Sequence, residues 1–334
     1  MHQNMKTTAL IILNYNNVED TINCIDSVEL YNSAPVKLVV VDNGSSRTEA
    51  PVILDEYMRA KFNGRYIRIT DKDIASAGTL PYATLLVSGS NDGYARGNNK
   101  GLKLTDNDPE ISDVMILNND ILFVEDIIPA LSEARTNLPD CALISPLLLK
   151  RDRKSIDYNC ARRAISVDTL IKNHLTHYLM RLCGRSEEHF MRKRYLLLDP
   201  TIEHKSNILP IDLPSGSCML IDKSLFKSIG FFDPGTFLYY EEDILYRKLI
   251  ATGHRNYLVS NLHCVHLGAA STTQRGTPVT IRANIESERY YVRNFSGVSP
   301  FMKRLHGLTS RLFWLTLRLQ KKICPSGITH RCII

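Results

Sequence analysis

The stretch TALIILNYNNVEDTINCIDSVELYNSAPVKLVVVDNGS, residues 8–45, decides the fold class. Its two apolar runs, at 8–13 and 37–41, are rich in β-branched residues and predict strands. Between them, from 18 to 30, apolar residues recur at helical spacing. A strand, a helix and a second strand in this order form a βαβ unit, whose two strands lie parallel in one sheet.

The same alternation continues along the chain. A helical pattern at 51–62 leads to a predicted strand at 65–70, and two more apolar runs follow at 84–87 and 114–117. A glycine-rich segment at 91–101 opens another helix. We therefore predict an α/β fold with a mainly parallel central sheet, covered by helices on both faces, whose ligands bind beyond the carboxyl ends of the strands.

The second half of the chain is less regular. From 150 to 210 basic and aromatic residues replace the alternating pattern, and we interpret this part as an insertion on the sheet scaffold. Apolar runs at 216–221 and 257–259 resume the scaffold, with a predicted helix at 223–229 between them. The eight cysteines are scattered, and the first apolar run is too short for a signal peptide, so we expect free thiols in the cytoplasm.

The net charge of +6 is concentrated at the C-terminus. Residues 301–334 hold seven Lys and Arg and no Asp or Glu, so the remainder is close to neutral and we expect no nucleic-acid partner. Apolar and basic residues alternate here around Phe313 and Trp314. This pattern suits a cationic amphipathic helix on an anionic membrane surface, or equally a helix packed on the main domain with a solvated basic face.

Three polar clusters follow predicted strands, at 14–17, 42–45 and 118–120. Because the carboxyl ends of parallel strands meet at one edge of a sheet, we expect these clusters to form one site. Asp42 would accept a hydrogen bond from a nucleotide base there, although Asp-Asn-Gly-Ser is also a common turn sequence.

The glycine-rich segment at 91–101 is a weaker indication, because it lacks the G-x-G-x-x-G pattern of dinucleotide-binding folds. Gly97 and Gly101 would let the backbone approach a ligand, and the nearby helix N-terminus favours a phosphate. A nicotinamide dehydrogenase would need the glycine pattern after the first strand, where 14–17 is Asn-Tyr-Asn-Asn instead.

Asp120 is a candidate metal ligand. Mg²⁺ and Mn²⁺ take carboxylates, retain waters and use substrate phosphates as further ligands, so one Asp and one imidazole would suffice. The candidate imidazole is His266, with His263 as its rival. The His-Cys-x-His spacing also suggests zinc, but no second pair of ligands stands nearby in the sequence.

Glu241, Glu242 and Asp243 are three consecutive carboxylates at the predicted start of a helix, next to Tyr239 and Tyr240. Acidic residues complement the dipole at a helix N-terminus, but three in a row exceed what capping needs. Crowded carboxylates raise one another's pKa, which suits a general base at neutral pH. We interpret the cluster as the source of a base.

Taken in order, these motifs resemble those of the family 2 inverting glycosyltransferases with the GT-A fold, most closely their rhamnosyltransferase-like bacterial members. The segments that carry the resemblance are ILNYNN (12–17), VVVDNGS (39–45), NDGYARGNNKG (91–101), LNND (117–120), GSCMLI (216–221), GFFD (230–233), FLYYEED (237–243) and HLGAAS (266–271). The resemblance covers about residues 7–272 and implies a GT-A domain over residues 1–272, which a basic helical tail at 273–334 follows. The 150–210 insertion is a candidate for acceptor recognition on the basis of its position alone.

The resemblance implies that a sugar passes, with inversion, from a nucleotide-diphosphate donor to a hydroxyl of a glycan or lipid-linked acceptor in bacterial surface polysaccharide synthesis. The donor would be dTDP-rhamnose or a UDP-sugar. Such an acceptor would place the enzyme in the cytoplasm, peripheral at the inner face of the membrane. The rival hypothesis is a non-catalytic, sugar-nucleotide-binding subunit of a polysaccharide synthase, which would be expected to lose the acids at 120 and 241–243.

The resemblance also assigns residues. Asp42 would contact the base, and Arg96 would lie near the sugar and phosphates. Asp120 would be the one carboxylate of the family's Asp-x-Asp motif that reaches the metal, since Asn118 holds the first position; His266 would complete a weakly held Mg²⁺ or Mn²⁺ site. The complete donor-binding set predicted in this way is Asn14, Tyr15, Asp42, Asn43, Ser45, Asn91, Gly93, Arg96, Asn98 and Asn119.

Two alignments on the family's Phe-x-Tyr-x-Glu-Asp motif leave two candidate bases. Aligning 237–242 without a gap puts Glu242 at the base position. Taking Glu242 and Asp243 as the Glu-Asp pair selects Asp243, which we favour because an aspartate is the family's usual base. Glu241 is the third member of the predicted catalytic set.

Overall fold

The computed structural model describes residues 7–182, 194–199, 206–268 and 278–323, and within these ranges all side chains except those at 177–182 and 318–323. The strands are β1 Thr7–Asn14, β2 Val36–Asp42, β3 Tyr66–Thr70, β4 Ala83–Val87, β5 Ile111–Asn118, β6 Ile121–Phe123, β7 Cys141–Lys150, β8 Ala161–Arg162, β9 Ile208–Ile211, β10 Leu213–Pro214, β11 Cys218–Asp222 and β12 Arg255–His266. The α-helices are α1 Val18–Tyr31, α2 Ala50–Lys61, α3 Gly93–Thr105, α4 Ile127–Thr136, α5 Val167–Leu182, α6 Lys223–Ser228, α7 Glu241–Ile250, α8 Pro278–Asn294 and α9 Pro300–Ile323.

A ten-stranded sheet forms the centre, in the order β3-β4-β2-β1-β5-β11-β7-β12-β6, with β9 also paired to β12. The first five strands of this order are parallel, and β12 is parallel to β7. Strand β11 runs antiparallel between β5 and β7. The carboxyl ends of β1, β2, β4, β5, β7 and β12 therefore share one edge with the beginning of β11. The predicted α/β class and mainly parallel sheet are confirmed.

Both faces of the sheet are buried, which explains the unbroken apolar runs of the central strands. On one face, Leu10 and Ile12 belong to a core that includes Ile25 of α1 and Met58 of α2. On the other face, Ile11 belongs to a core formed with α3, α6 and α7. Alternate residues of one strand thus enter two cores, because successive side chains point to opposite faces.

Two glycines let α3 lie close to the sheet. A Cβ atom at Gly97 would lie 2.8 Å from Leu13 Cδ1, and one at Gly101 would lie 2.7 Å from Ile11 Cγ2. Both distances are too short for real carbon contacts. The close approach that these glycines allow is therefore between helix and sheet, where we had expected it to be toward a ligand.

The C-terminal helices form a third layer with the insertion. Helix α9 packs on α5 and α8, and the core beneath them includes Ile171, Ile244 and Tyr291. The predicted helical tail is thus present and packed on the main domain. The predicted domain boundary at 272, and the basic residues of the insertion and tail at 183–193 and 324–334, lie outside the described residues.

The part of the chain that the structure describes contains no helix with both the length and the apolar character needed to cross a bilayer. Its cysteines are free, in agreement with the expectation from their spacing: they are Cys24, Cys141, Cys160, Cys218 and Cys264, all buried.

Candidate active site

The three polar clusters meet at one edge of the sheet, as predicted. In the strand register Asn14 lies opposite Asp42, and Leu13 lies opposite Asn118. The beginning of β11 joins the same edge, because the Asn118 amide donates to the Ser217 carbonyl over 2.8 Å.

Asp42 is held by hydrogen bonds within this edge. Its Oδ1 atom accepts from Asn14 Nδ2 at 2.7 Å and from Ser45 Oγ at 2.5 Å. Asn119 joins the network through a 3.0 Å bond from its Nδ2 to Thr21 Oγ1. Four of the predicted donor-binding residues therefore form one polar cluster, and Asp42 also makes the turn that its sequence allowed. Tyr15, a fifth, is exposed beside it.

Asn43 connects this edge to the glycine-rich segment. Its Nδ2 donates to the Gly93 carbonyl at 3.0 Å and to Asn91 Oδ1 at 3.2 Å. Gly93 has a φ of +81°, and a Cβ atom there would lie 2.2 Å from the Phe237 carbonyl oxygen. Only glycine fits this position, which brings the segment against the loop that precedes the acidic cluster.

Arg96 and Asn98 occupy different environments although both begin α3. Arg96 is exposed, and its Nε donates to the Pro234 carbonyl at 2.9 Å. Asn98 is fully buried, and its Nδ2 donates to the Tyr94 carbonyl of the same helix at 3.0 Å. In this conformation only Arg96 is open to a ligand.

Asp120 and His266 lie together as predicted, with 3.5 Å between Asp120 Oδ2 and His266 Nε2. The other ring nitrogen, Nδ1, lies 2.8 Å from Asp157 Oδ2. Burial disfavours the charged imidazole, but the hydrogen bonds to Asp120 and Asp157 outweigh it and raise the pKa of His266 to about 9. The rival His263 instead contacts Glu125, at 2.9 Å.

This pair fits a divalent metal ion. When Nδ1 of a neutral His266 donates to Asp157, the lone pair of Nε2 is directed toward Asp120, which is how histidine ligands are usually oriented by a second carboxylate. The two candidate ligand atoms, one imidazole nitrogen and one carboxylate oxygen, are separated by 3.5 Å, a spacing that one shared ion can bridge.

The acidic cluster begins helix α7 after a strained turn. Tyr239 and Tyr240 have φ values of 74° and 68°, in the left-handed region that non-glycine residues rarely adopt. Each such residue costs about 1–3 kcal/mol, so the surrounding structure must hold the turn in place. The result is that all three acids fall in the first turn of α7.

Glu242 reaches the sheet edge. Its Oε1 accepts from the Gly216 amide at 2.9 Å and lies 3.6 Å from Arg162 Nη2. Gly216 directly precedes Ser217, whose carbonyl bonds the Asn118 amide. The Glu242 carboxylate is therefore one short loop away from the 118–120 cluster.

Glu241 and Asp243 point into the protein. Glu241 accepts from Thr236 Oγ1 at 3.2 Å, and burial together with the charge of Glu242 raises its pKa to about 8. Burial also raises the pKa of Asp243, against the opposing charges of Arg194 and Arg162. The side chain of Asp243 is 5% exposed, whereas that of Glu242 is 19% exposed.

A solved structure shares this arrangement of strands and helices. GalNAc-T7, crystallised with UDP, GalNAc and Mn²⁺, superposes with a TM-score of 0.55 at 13% identity over 98% of this chain and 59% of its own. This chain has the GT-A fold. The predicted fold class is confirmed.

Sequence comparisons find glycosyltransferases among the proteins similar to this chain, which confirms the predicted resemblance. A low-salt glycan biosynthesis hexosyltransferase of Haloferax volcanii is 27% identical over 234 residues, which are 70% of this chain and 58% of the relative. An N-acetylglucosaminyl-diphospho-decaprenol L-rhamnosyltransferase of Mycobacterium tuberculosis is 24% identical over 253 residues, 74% of this chain and 71% of the relative. The chain thus spans well under two thirds of the first relative. No protein-family model matches it.

Two residues that contact the candidate site, Asp157 and Arg162, were not predicted from the sequence, and both lie in the segment interpreted as an insertion. Asp157 reaches His266 because its backbone amide bonds the Leu148 carbonyl at the end of β7, the partner of β12. Arg162 lies beside Glu242 through β8, where its Nη2 also donates to the Pro214 carbonyl at 3.1 Å. The only signal in the sequence was the basic character of the segment.

Proposed function

We propose that this chain is an inverting glycosyltransferase, which moves a sugar from a nucleotide-diphosphate donor to a hydroxyl of a glycan or lipid-linked acceptor. The observation that carries the proposal is the position of the Glu242 carboxylate, anchored on Gly216 at the sheet edge that also holds Asp120 and His266. A candidate base and a candidate metal-binding pair thus share one edge of a GT-A fold.

The donor would lie along this edge, in the region of Asp42, Asn14 and Ser45 at one end and of Arg96 at the other. Asp120 and His266 would hold Mg²⁺ or Mn²⁺, which when bound offsets negative charge on the departing diphosphate. Asp157 keeps the His266 ring oriented for that role.

Glu242 would accept the proton of the attacking hydroxyl. The pKa of a sugar hydroxyl is far above 7, so attack on the anomeric carbon requires a base within hydrogen-bond reach. The new bond forms as the bond to the diphosphate breaks, and a single displacement inverts the anomeric centre. A diphosphate leaves without a general acid, so no second proton donor is needed.

We propose Glu242 rather than Asp243 as the base, because Glu242 is more accessible to an acceptor. An acceptor must reach the base, and the Asp243 side chain is nearly enclosed beside Arg194. The Glu242 side chain is 19% exposed and lies between the Gly216 amide and Arg162, which hold its carboxylate in place. Asp243 and Glu241 would then shape the helix start around the base.

The acceptor class follows from the mycobacterial relative, whose name describes transfer to a polyprenyl-diphosphate sugar. We propose an acceptor of that class, with dTDP-rhamnose or a UDP-sugar as donor. The test incubates the chain with both donors, Mg²⁺ or Mn²⁺ and an N-acetylglucosaminyl polyprenyl diphosphate. NMR of the product should show inverted anomeric configuration. A retained configuration, or donor binding without transfer to any hydroxyl acceptor, would overturn the proposal.

Helix α9 has an exposed face suited to contact with the membrane that would hold a lipid-linked acceptor. It packs on the domain through His306, Thr309 and Ser310, which are buried. Its opposite face is exposed and is not mainly basic: large apolar side chains and two arginines lie together there, namely Phe301, Arg304, Leu308, Arg311, Leu312 and Leu315. We propose that this face lies on an anionic membrane, at the cytoplasmic side.

Vesicle sedimentation tests the membrane contact. The double variant Leu308→Glu, Leu312→Glu should lose binding to vesicles containing anionic lipid, because it places charge on the apolar face. A matched control is Leu30→Glu, at an exposed leucine of α1. Equal sedimentation of the double variant and the control would refute the contact.

A further inference from the structure

A second cluster of potential metal ligands lies away from the sheet edge, among the C-terminal helices. His174 of α5, Glu288 of α8 and His306 of α9 meet at one point. The Nε2 atoms of His174 and His306 lie 2.9 Å and 2.8 Å from the same oxygen, Glu288 Oε1. All three side chains are at most 10% exposed.

The chemistry of these ligands differs from that of the donor site. Two imidazole nitrogens and one carboxylate oxygen form the ligand set typical of zinc, whereas Mg²⁺ and Mn²⁺ prefer oxygen. The three ligand atoms lie within 4.8 Å of one another, close enough for one ion to draw them to the roughly 3.3 Å separation of tetrahedral zinc ligands. Three protein ligands leave the fourth position to a water molecule.

The hydrogen bonds around the cluster orient His174 as a ligand. Thr309 Oγ1 lies 3.1 Å from the His306 carbonyl and 3.2 Å from His174 Nδ1. A hydroxyl has one hydrogen, and the carbonyl can only accept it, so Nδ1 must donate to Thr309 for both bonds to form. A neutral His174 then has a bare lone pair on Nε2, facing the carboxylate oxygen.

With His174 in this tautomer, its Nε2 and Glu288 Oε1 are two buried electron-rich atoms 2.9 Å apart, an arrangement that a shared cation stabilises. The second carboxylate oxygen, Glu288 Oε2, already accepts from Tyr240 Oη at 2.8 Å. The cluster therefore has the outer hydrogen bonds that orient metal ligands, on one imidazole and on the carboxylate.

We propose that His174, Glu288 and His306 bind one Zn²⁺ ion. The ion joins α5 to the two consecutive C-terminal helices and, through the Tyr240 hydroxyl on Glu288, fixes the left-handed turn from which α7 begins. The site is separate from the Asp120 and His266 pair, and it does not depend on the proposed transferase activity.

The test titrates Zn²⁺ into the full chain after chelator treatment and dialysis, with bound metal measured by elemental analysis and folding by thermal unfolding. The wild type should bind zinc and unfold at a higher temperature with it. His174→Gln and Glu288→Gln should each lose one equivalent and the thermal shift. Co²⁺ in the wild type should give the intense visible absorption of a four-coordinate ion, which the variants lack.

Two controls keep the test decisive. The Asp120→Ala variant should still bind the one equivalent of zinc that the His174→Gln variant loses, because Asp120→Ala alters only the donor site. His263→Ala removes a histidine that also contacts a glutamate, Glu125, but at the surface, and it should change nothing. A wild type that binds no zinc, or a His174→Gln variant that binds as much as His263→Ala, would overturn the proposal and leave a hydrogen-bonded trio with a charged His174.

Discussion

The strand ends and the start of α7 hold their carboxylates in opposite ways. Asp42 is surrounded by donors, with Asn14 and Ser45 both bonded to one of its oxygens. Glu241 and Asp243 are buried beside other carboxylates, and their pKa values rise. One region provides fixed acceptors, and the other keeps carboxylic groups in which the proton is easily gained or lost.

The difference indicates separate roles for the strand ends and for the start of α7. Fixed acceptors suit recognition, because their geometry does not change when a ligand arrives. Crowded carboxylates suit proton transfer, because small changes in surroundings change which group is protonated. Glu242 lies between the two regions, with one neighbour in each: Gly216 at the sheet edge and Glu241 in the helix.

The largest expected effect tests the proposed base. Glu242→Gln should lower the rate of transfer by roughly 10²–10⁴, the usual contribution of a general base, while donor affinity stays close to that of the wild type. Rates come from product formation, and affinity from calorimetry with the nucleotide sugar. Asp243→Asn is the matched variant. If it abolishes transfer while Glu242→Gln remains active, Asp243 is the base, as the second alignment favours.

Glu241→Gln should change how stability depends on pH. The folded chain keeps the Glu241 proton up to about pH 8, whereas an unfolded chain releases it near 4.5, so the folded state loses stability as pH rises through this window. At about 1.4 kcal/mol per unit, the loss from pH 5 to 8 is at most about 4 kcal/mol.

Thermal unfolding of the wild type and Glu241→Gln at pH 5 and pH 8 measures this dependence. The variant should be stabilised more at pH 8 than at pH 5, because glutamine has no proton to lose. An equal shift at both values of pH would show that Glu241 titrates normally in the folded chain.

Gly93→Ala should separate the glycine-rich segment from the loop before α7. The new Cβ atom would collide with the Phe237 carbonyl, 2.2 Å away. Gly253→Ala is a matched control, with a φ of +82° and no heavy atom within 4 Å of the new Cβ. The free energy of unfolding should fall by about 2–3 kcal/mol more at Gly93 than at Gly253, in line with overpacked sites. Similar losses would mean that backbone strain alone requires glycine.

The smallest effect concerns Asp157. Asp157→Asn weakens the hydrogen bond that orients His266, and outer partners of this kind usually contribute 10–100-fold to metal affinity. Mn²⁺ titration followed by paramagnetic resonance would measure the change. Asp152→Asn, in the exposed turn that precedes it, should leave Mn²⁺ binding unaltered. Unchanged affinity in both variants would separate Asp157 from the metal site.

The sequence was most informative where one short segment determines the outcome. Apolar runs at 8–13 and 37–41 become β1 and β2, and the polar clusters that follow them meet because parallel strands end at one edge. The three acids start a helix at Glu241, as their pattern predicted. In each case the evidence lay within about ten residues.

Contacts between segments that are distant in the sequence could not be predicted from the sequence. Asp157 meets His266 only because β7 and β12 pair, a partnership between strands more than 100 residues apart. His174, Glu288 and His306 carry no common motif, since helix packing alone brings them together. The left-handed conformation of Tyr239 and Tyr240 was equally hidden, because neither residue type favours it.

The reversed direction of β11 has a consequence for engineering this protein. The parallel strands end at the ligand edge, so the last backbone groups that they place there are carbonyls. Strand β11 is antiparallel and begins at this edge, and the amide of Gly216, two residues before it, donates to Glu242. A backbone donor persists through any substitution except proline. Residue 216 must also stay free of a side chain, since a Cβ would lie 2.7 Å from the Glu242 carboxylate. Libraries aimed at new acceptors should therefore keep glycine at residue 216, in addition to the proposed site residues.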